Sequence, residues 1–207
     1  MKKALTILLA AVLVLGLFAC AKSGTALKPL EDSFTVAEPM GDITCAASFK
    51  TEDLKQTEAG WELTVTLYDY DRYDSAAVQA LKKGDTITVQ GKEITVDTVE
   101  IKDEFVTING GQENDGVDLL SEEGHYRTMS WDDHPLYIEK GTVTVPVSET
   151  LRVLDQGGPE PDSAMIETGF ADLPDGLHSY EGDWTALNTR VTIEGGAVTG
   201  IARFWIP

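Results

Sequence analysis

Basic side chains are scarce in this sequence. Its 207 residues carry 16 Lys and Arg against 35 Asp and Glu, which gives a net charge of −19 at pH 7. A body this acidic is repelled by nucleic acid phosphates, so we exclude a nucleic-acid partner. The excess of carboxylates is typical of a well-solvated surface. A more specific interpretation is that the carboxylates bind a cationic partner or cations.

Local sequence motifs of enzymes are also missing. The chain contains no GxSxG, no HExxH, no GxxxxGK[ST] and no GxGxxG after a strand. These motifs mark the nucleophile elbow of hydrolases, the zinc site of metalloproteases and two kinds of phosphate-binding loop. The sequence therefore favours a protein without a catalytic site and without an organic cofactor.

The sequence has a single long apolar run, which lies at its start. Lys2 and Lys3 precede a stretch from Ala4 to Phe18 in which Thr6 is the one polar residue. A charged start followed by such a stretch is typical of a secretory signal. As a helix, residues 4–18 would span about 22 Å, whereas a membrane-spanning helix must cross about 30 Å of hydrocarbon.

The end of this run carries a family resemblance. Leu17, Phe18, Ala19 and Cys20 resemble the lipobox of bacterial lipoproteins. The resemblance implies that residues 1–19 are a signal peptide that is removed, and that the Cys20 thiol receives diacylglycerol with fatty acyl chains such as palmitate. Two or more chains, at about 0.8 kcal/mol per buried CH₂, hold a protein stably at a membrane. The expected location is the extracytoplasmic face of the cell membrane, or the outer membrane in a host with two.

Cys45 is the second of only two cysteines. Lipid on Cys20 would leave it without an intrachain partner, which excludes a disulfide and a cysteine-based zinc site. Ile43, Ala47 and Phe49 alternate onto the same strand face as Cys45. This pattern predicts a small buried hydrophobic residue, with a free reactive or intermolecular thiol as the alternative.

The remaining chain divides into a tether and a β domain. Residues 20–33 show no periodicity, which predicts a flexible tether with a coil span of about 20 Å. Residues 34–207 form the predicted β domain, and a break near residues 110–116 leaves open a division into two subdomains. Residues 156–187 show no clear period, so their fold is not predicted.

Alternation of apolar and polar residues predicts strands over most of this domain. Residues 61–68 place Trp61, Leu63, Val65 and Leu67 on one face. The stretch 43–49 is expected to pair with them in an antiparallel hairpin through a turn near Gly60. Further strands are predicted at residues 86–89, 93–101, 105–108, 125–131, 136–139, 142–147 and 191–206, where Gly195 and Gly196 form a hairpin turn. Pro146 predicts an edge position for 142–147.

One short helix is predicted near residues 75–83. Asp74 or Ser75 can accept hydrogen bonds from its first turn, and Gly84 can adopt the left-handed conformation that ends it. A helix this short must pack against a sheet to be stable. The predicted fold is therefore mainly β, either an antiparallel sandwich or a partly open barrel, with one short helix.

A cation site is the first candidate functional site. Asp69, Asp71 and Asp74 follow the Trp61 strand closely, and three carboxylates offer the oxygen ligands that Ca²⁺ prefers. The glycine and the distal glutamate of an EF-hand loop are missing. Solvated turn residues, with Asp74 as a helix cap, are the alternative interpretation.

A catalytic cluster is the second candidate. Asp132, Asp133 and His134 place two acids beside an imidazole, as a hydrolase would need if a nucleophile lay nearby. His125 lies nine residues before His134, across an expected hairpin. Surface turn residues are the alternative, since two imidazoles without a third ligand define no metal site.

Aromatic residues offer a third possibility, the stacking of sugar rings. Trp131 and Trp184 lie beside turns and are the better candidates for exposure, whereas Trp61 is expected in the core. Packing in the core or at its rim is the favoured interpretation for each of them. The sequence thus favours a lipid-anchored, non-enzymatic binding or interaction module whose ligand is a glycan, a cation or an envelope protein. The alternative is a small envelope hydrolase that uses Asp132, Asp133 or His134.

Overall fold

Strands dominate the computed structural model, which describes residues 24–206 and confirms the predicted mainly β class. The strands are β1 Ala26–Leu27, β2 Ile43–Ser48, β3 Leu54–Thr57, β4 Gly60–Asp69, β5 Arg72–Asp74, β6 Thr86–Val89, β7 Lys92–Thr95, β8 Val99–Lys102, β9 Phe105–Ile108, β10 Val117–Glu122, β11 His125–Thr128, β12 Ile138–Asp155, β13 Ile166–Gly169, β14 Thr189–Glu194 and β15 Ala197–Arg203. The helix α1 spans Ser75–Gln79. Short 3₁₀ turns lie at Thr51–Asp53, Gln112–Asn114, Trp131–Asp133, Phe170–Asp172 and Asp175–His178. Within residues 24–206, every helix is too short or too polar to cross a membrane.

Five strands, β12, β15, β14, β2 and β4, form a partly closed barrel. The seven-stranded sheet runs β13-β12-β15-β14-β2-β4-β3, and β12 also pairs with β4, which joins the two sides of the sheet. The 18-residue length of β12 makes this possible. Its first half, Ile138 to Pro146, pairs antiparallel with β4, and its second half, Val147 to Asp155, pairs parallel with β15.

The barrel interior is the first hydrophobic core. Leu63, Val65 and Leu67 on β4 are 0% exposed, as their alternation predicts. Their neighbours across β12 include Val143 and Val145, which are also buried. Hydrogen-bonded threonine pairs connect neighbouring strands on the outer face of the barrel, β4 to β12 through Thr64 with Thr144 and Thr66 with Thr142, and β2 to β14 through Thr44 with Thr192.

Several strand predictions need correction. The strand predicted at residues 93–101 is two strands, β7 and β8, which lie in different sheets. The stretch 142–147 is not an edge strand, because it lies within β12 and contributes to the barrel wall. Pro146 is tolerated there since it ends the pairing with β4, and the next residue pairs with β15 instead. The turn before Gly60 joins β4 to β3 rather than to β2, although β2 and β4 do pair antiparallel.

The segment between β4 and β12, together with β1, forms a second unit with its own core, which we call the inserted unit. Strands β5, β11, β10, β9 and β8 make a five-stranded sheet, and β1, β6 and β7 make a three-stranded one. The second core is built from Leu27, Tyr73, Val78, Leu81, Ile87, Val89, Val96, Val106, Ile108, Val117, Leu119 and Tyr126. Residues 110–116 connect β9 to β10 within this unit.

The predicted tether is held against the protein from residue 24 onward. Strand β1 pairs in parallel with β6, and the Thr25 amide donates to Asp85 Oδ1 at 2.7 Å. Leu27 is buried in the second core, a contribution of about 2 kcal/mol. The Leu30 amide donates to the Arg72 carbonyl at 2.7 Å. In this part the tether prediction is corrected, because backbone pairing and one buried side chain fix the segment.

The helix α1 begins at its predicted cap, and residues 156–187, whose fold was not predicted, contain only short elements. Asp74 Oδ1 accepts from the Ala77 amide at 2.8 Å, which confirms the cap. The helix ends at Gln79, before the predicted end, so Gly84, although its φ is 92°, does not end it as predicted. Residues 156–187 contain β13 and two 3₁₀ turns, which are too short to give a sequence period.

Candidate functional site

A cavity lies where the outer face of the barrel meets the inserted unit, and we call it the junction pocket. Its volume is about 500 Å³, within the range of small-molecule sites. It is defined by side chains from both units, among them Tyr68, Arg72, Glu122, Arg127, Tyr137 and Arg190. Ligand sites commonly occupy such boundaries, because each unit can contribute rigidly placed groups.

The barrel supplies one wall of the junction pocket. Ala46 on β2 pairs with Tyr68 on β4 and with Arg190 on β14, so the three side chains form a row on the outer face. Cys45 and Ala47 belong instead to the barrel core. The methyl group of Ala46 leaves room between a tyrosine and an arginine, which opens the cavity at this point.

Arg190 is held by neutral partners. Its Nη2 donates to the Tyr137 hydroxyl at 2.6 Å, and its Nη1 donates to the carbonyls of Ala186 and Thr189. The guanidinium carbon lies 5.6 Å from the centre of the Tyr137 ring. Among residues 24–206, no carboxylate forms an ion pair with Arg190. Burial raises the pKa of Tyr137, an effect that the charge of Arg190 opposes.

Arg127 on β11 is more deeply buried, with 6% of its surface exposed. Its Nε donates to Glu122 Oε1 at 3.0 Å, and its Nη2 donates to the Asp133 carbonyl at 2.8 Å. Its Nη1 is buried without a hydrogen-bond partner. Glu122 also accepts from the Tyr70 hydroxyl at 3.0 Å, and burial, together with this carboxylate, raises the pKa of Tyr70.

Arg72 forms the third guanidinium of the junction pocket. Its Nη2 lies 3.1 Å from Asp69 Oδ1 in an ion pair, and Asp69 is 5% exposed. Asp69 also accepts from the amides of Ser33 and Tyr70, at 2.8 and 2.9 Å. The end of the N-terminal segment thus forms part of the wall, because Ser33 contacts both Asp69 and Arg72.

The three carboxylates of the predicted cation site each interact with a different partner. Asp69 faces Arg72, Asp71 accepts from the Gln90 amide at 2.6 Å, and Asp74 caps α1. Burial raises the pKa of Asp71, which disfavours its charged form. Over residues 24–206, no group of three or more His, Cys, Asp and Glu side chains is arranged to hold a metal ion. The structure does not bring these carboxylates together.

The predicted catalytic cluster is divided by the fold. Asp133 and His134 line the junction pocket, while Asp132 lies in the preceding turn with a positive φ of 58°. His125 lies at the exposed start of β11, and His134 follows the other end of that strand. No imidazole pair forms across the sheet.

The pocket also lacks an activated nucleophile beside His134. Burial, followed by the charge of Asp69, raises the pKa of Cys45 to about 11, so its thiol stays protonated at neutral pH. The Ser33 hydroxyl donates to Asp69 Oδ1 and accepts from Arg72 Nη2, and it makes no hydrogen bond to His134. General-base activation requires a hydrogen bond from nucleophile to base, and the described residues provide none to His134.

The two candidate tryptophans differ. Trp131 is 62% exposed and lines a second cavity, of about 530 Å³, in the inserted unit. Trp184 is buried, in agreement with the core-packing interpretation, because it stacks on Phe49 with ring centres 5.1 Å apart and lies 4.2 Å beneath the Arg203 guanidinium. Trp61 packs against the barrel core as expected.

Sequence reasoning missed the arginines. Three of the five arginines in this acidic chain, Arg72, Arg127 and Arg190, line one cavity although they lie far apart in sequence. Their scarcity, and their positions on strands, were the available signals. The junction pocket offers guanidinium and phenol donors in a partly buried space. Comparisons of the chain with models of known families, with curated proteins and with solved structures found no match.

Proposed function

We propose that this protein is a lipid-anchored, extracytoplasmic binding module that holds a small ligand in the junction pocket. The observation that carries the proposal is the pocket itself, a cavity of about 500 Å³ with hydrogen-bonding side chains from two separately packed units. Fixed polar groups in a concave site between rigid elements are what a small-molecule site needs.

The hydrolase alternative has less support. His134 and Asp133 do border the pocket, but Cys45 holds its proton and Ser33 is occupied by Asp69 and Arg72. A binding role requires none of these groups to be activated. The exposed ring of Trp131 adds a further surface of the kind that binding modules use.

The membrane part of the proposal rests on the sequence. Cys20 and the signal peptide lie outside the described residues, and the lipobox resemblance of residues 17–20 supports the anchor. A diacylglyceryl anchor on the extracytoplasmic face would present the pocket to molecules of the cell envelope or the surroundings.

A ligand panel tests the binding role. Thermal unfolding of the full-length protein is followed with neutral sugars, organic amines, organic carboxylates and sugar phosphates. A binder raises the melting temperature by mass action. Ala46→Phe fills the gap between Tyr68 and Arg190 and is expected to abolish that shift.

Ala202→Phe is the matched control. Ala202 pairs with Arg190 on the side away from Ala46 and lies outside the junction pocket. It is expected to leave the ligand shift intact. A panel in which no class of compound binds, or in which binding survives Ala46→Phe, would contradict the proposed function.

A further inference from the structure

The charge distribution inside the junction pocket differs from that of the whole chain. Six charged residues line it, namely Arg72, Arg127, Arg190, Asp69, Glu122 and Asp133. Asp69 is paired with Arg72, and Glu122 is paired with Arg127. Asp133 is exposed to solvent, where its charge is screened. Arg190 therefore supplies one positive charge that no carboxylate among residues 24–206 neutralises.

The second observation is the unpaired donor on Arg127. Three buried side-chain polar atoms in the described part of the chain lack partners, and Arg127 Nη1 is the one that belongs to a charged group. Leaving a buried donor unpaired is costly, and more so when the group carries charge. Arg127 lines the junction pocket, so a ligand oxygen that reaches this nitrogen would remove that cost.

These two features select the sign and number of ligand charges. Guanidinium groups bind planar oxyanions through parallel N–H donors, and such bonds are about twice as strong as neutral ones. We infer that the junction pocket binds a small organic monocarboxylate, placed between Arg190 and Arg127. The inference rests on the proposed function and specifies the ligand class for that site.

One negative charge fits better than two. A phosphate monoester carries about −1.5 to −2 at pH 7. The second charge would approach Glu122 and Asp69, which already occupy the same pocket. Like charges in a partly buried site repel strongly, so a phosphate is disfavoured where a carboxylate is not. The rings of Tyr68 and Tyr137 line the same pocket and can contact the body of the ligand, while their hydroxyls are engaged by Ser48 and Arg190 respectively.

Matched compounds test this inference on the unaltered protein. Binding of benzoate is compared with that of benzamide and phenyl phosphate, and binding of glucuronate with that of glucose and glucose 6-phosphate, by calorimetry on the full-length protein. We expect the carboxylate of each set to bind about tenfold or more tightly than its neutral partner. The phosphates are expected to bind more weakly than the carboxylates.

Substitution of single arginines provides the second test. Arg190→Gln keeps hydrogen-bonding capacity but removes the charge, and it is expected to weaken carboxylate binding about tenfold or more. Arg152→Gln is the matched control, since Arg152 is an exposed barrel arginine outside the junction pocket. It is expected to leave binding unchanged. If Arg190→Gln does not fold, the compound comparisons decide alone.

The outcomes separate this inference from the proposed function. Binding of neutral or cationic compounds that Ala46→Phe abolishes and Arg190→Gln leaves intact would overturn the monocarboxylate and keep the binding role. Phosphates that bind more tightly than their matched carboxylates would also overturn it. Carboxylate binding that disappears in both variants supports the binding role and the monocarboxylate ligand. Binding that neither variant alters would overturn both.

Discussion

At the scale of single residues, burial controls the chemistry of Cys45. The side chain is 8% exposed in the barrel core and borders the junction pocket. Desolvation raises the pKa of its thiol from 9.0 to about 11. The sequence predicted this burial from the alternation of Ile43, Cys45 and Ala47, because strand periodicity is a local property.

Thiol reactivity tests this environment. In a Cys20→Ala variant, Cys45 is the only thiol, and we expect it to react with DTNB at pH 8 about a hundredfold more slowly than the unfolded chain, because its thiolate is scarce. The rate in urea serves as the reference. Equal rates in the folded and unfolded protein would show that burial does not suppress the thiolate.

The same pKa shift fixes the sign of a pH effect on stability. The folded thiol keeps its proton to a higher pH than the unfolded thiol, so Cys45 stabilises the fold fully below about pH 9. That contribution is lost as the pH rises from 9 to about 11. Denaturant titrations of the variant with and without Cys45→Ala should therefore converge over this range.

At the scale of elements, one ion pair fastens the least regular part of the chain. Asp155 ends β12, Arg203 ends β15, and their side chains are 0% and 1% exposed with contacts of 2.8 Å. Arg203 also donates to the carbonyls of Tyr180 and Gly182. Within residues 156–187, β13 pairs with β12, and the Arg203 guanidinium adds a second attachment to the barrel at Tyr180 and Gly182.

Removing one member of this ion pair should strongly destabilise the fold. We expect Asp155→Ala to lower the free energy of unfolding by about 3–5 kcal/mol, because it leaves a buried guanidinium uncompensated. Glu167→Ala is the control, as its pair with Arg152 is 58% and 66% exposed and contributes about 0–1 kcal/mol. Urea titration measures both. Similar losses in the two variants would contradict this account.

Elements with a strong local signal could be predicted, and those that depend on distant pairing could not. The β4 alternation, the Asp74 cap and the turn at Gln90 and Gly91 between β6 and β7 follow from neighbouring residues. The closure of the barrel depends on β12 leaving β4 for β15 after Pro146, and nothing within that stretch encodes its second partner. The docking of β1 likewise depends on β6.

At the scale of the whole molecule, the junction pocket explains why the site escaped prediction. Its walls come from the N-terminal segment, the inserted unit and the barrel strands β2, β4 and β14, so no window of sequence contains it. Sequence analysis did find Asp69 and His134, which border the pocket, yet assigned them to two different sites. Arginines that are scattered along the chain carry no spacing rule that would join them.

The proposed anchor is also a property of the whole molecule. Expression of the full-length protein in a bacterial host, followed by salt-washed fractionation, should place it with the membranes, since two or more acyl chains resist salt. Cys20→Ala should release it, and Cys45→Ala should not. Retention of the Cys20→Ala variant with the membranes would exclude Cys20 as the anchor.

The docking of residues 24–33 has a mechanical consequence. From Cys20 to Thr25 the backbone can extend about 17 Å at most, so a lipid on Cys20 would keep β1 and β6 close to the bilayer surface. From β1 the same segment continues to Ser33 in the pocket wall. A force on the lipid would therefore be transmitted directly to the wall of the binding site. A soluble version that lacks residues 1–33 would lose part of that wall.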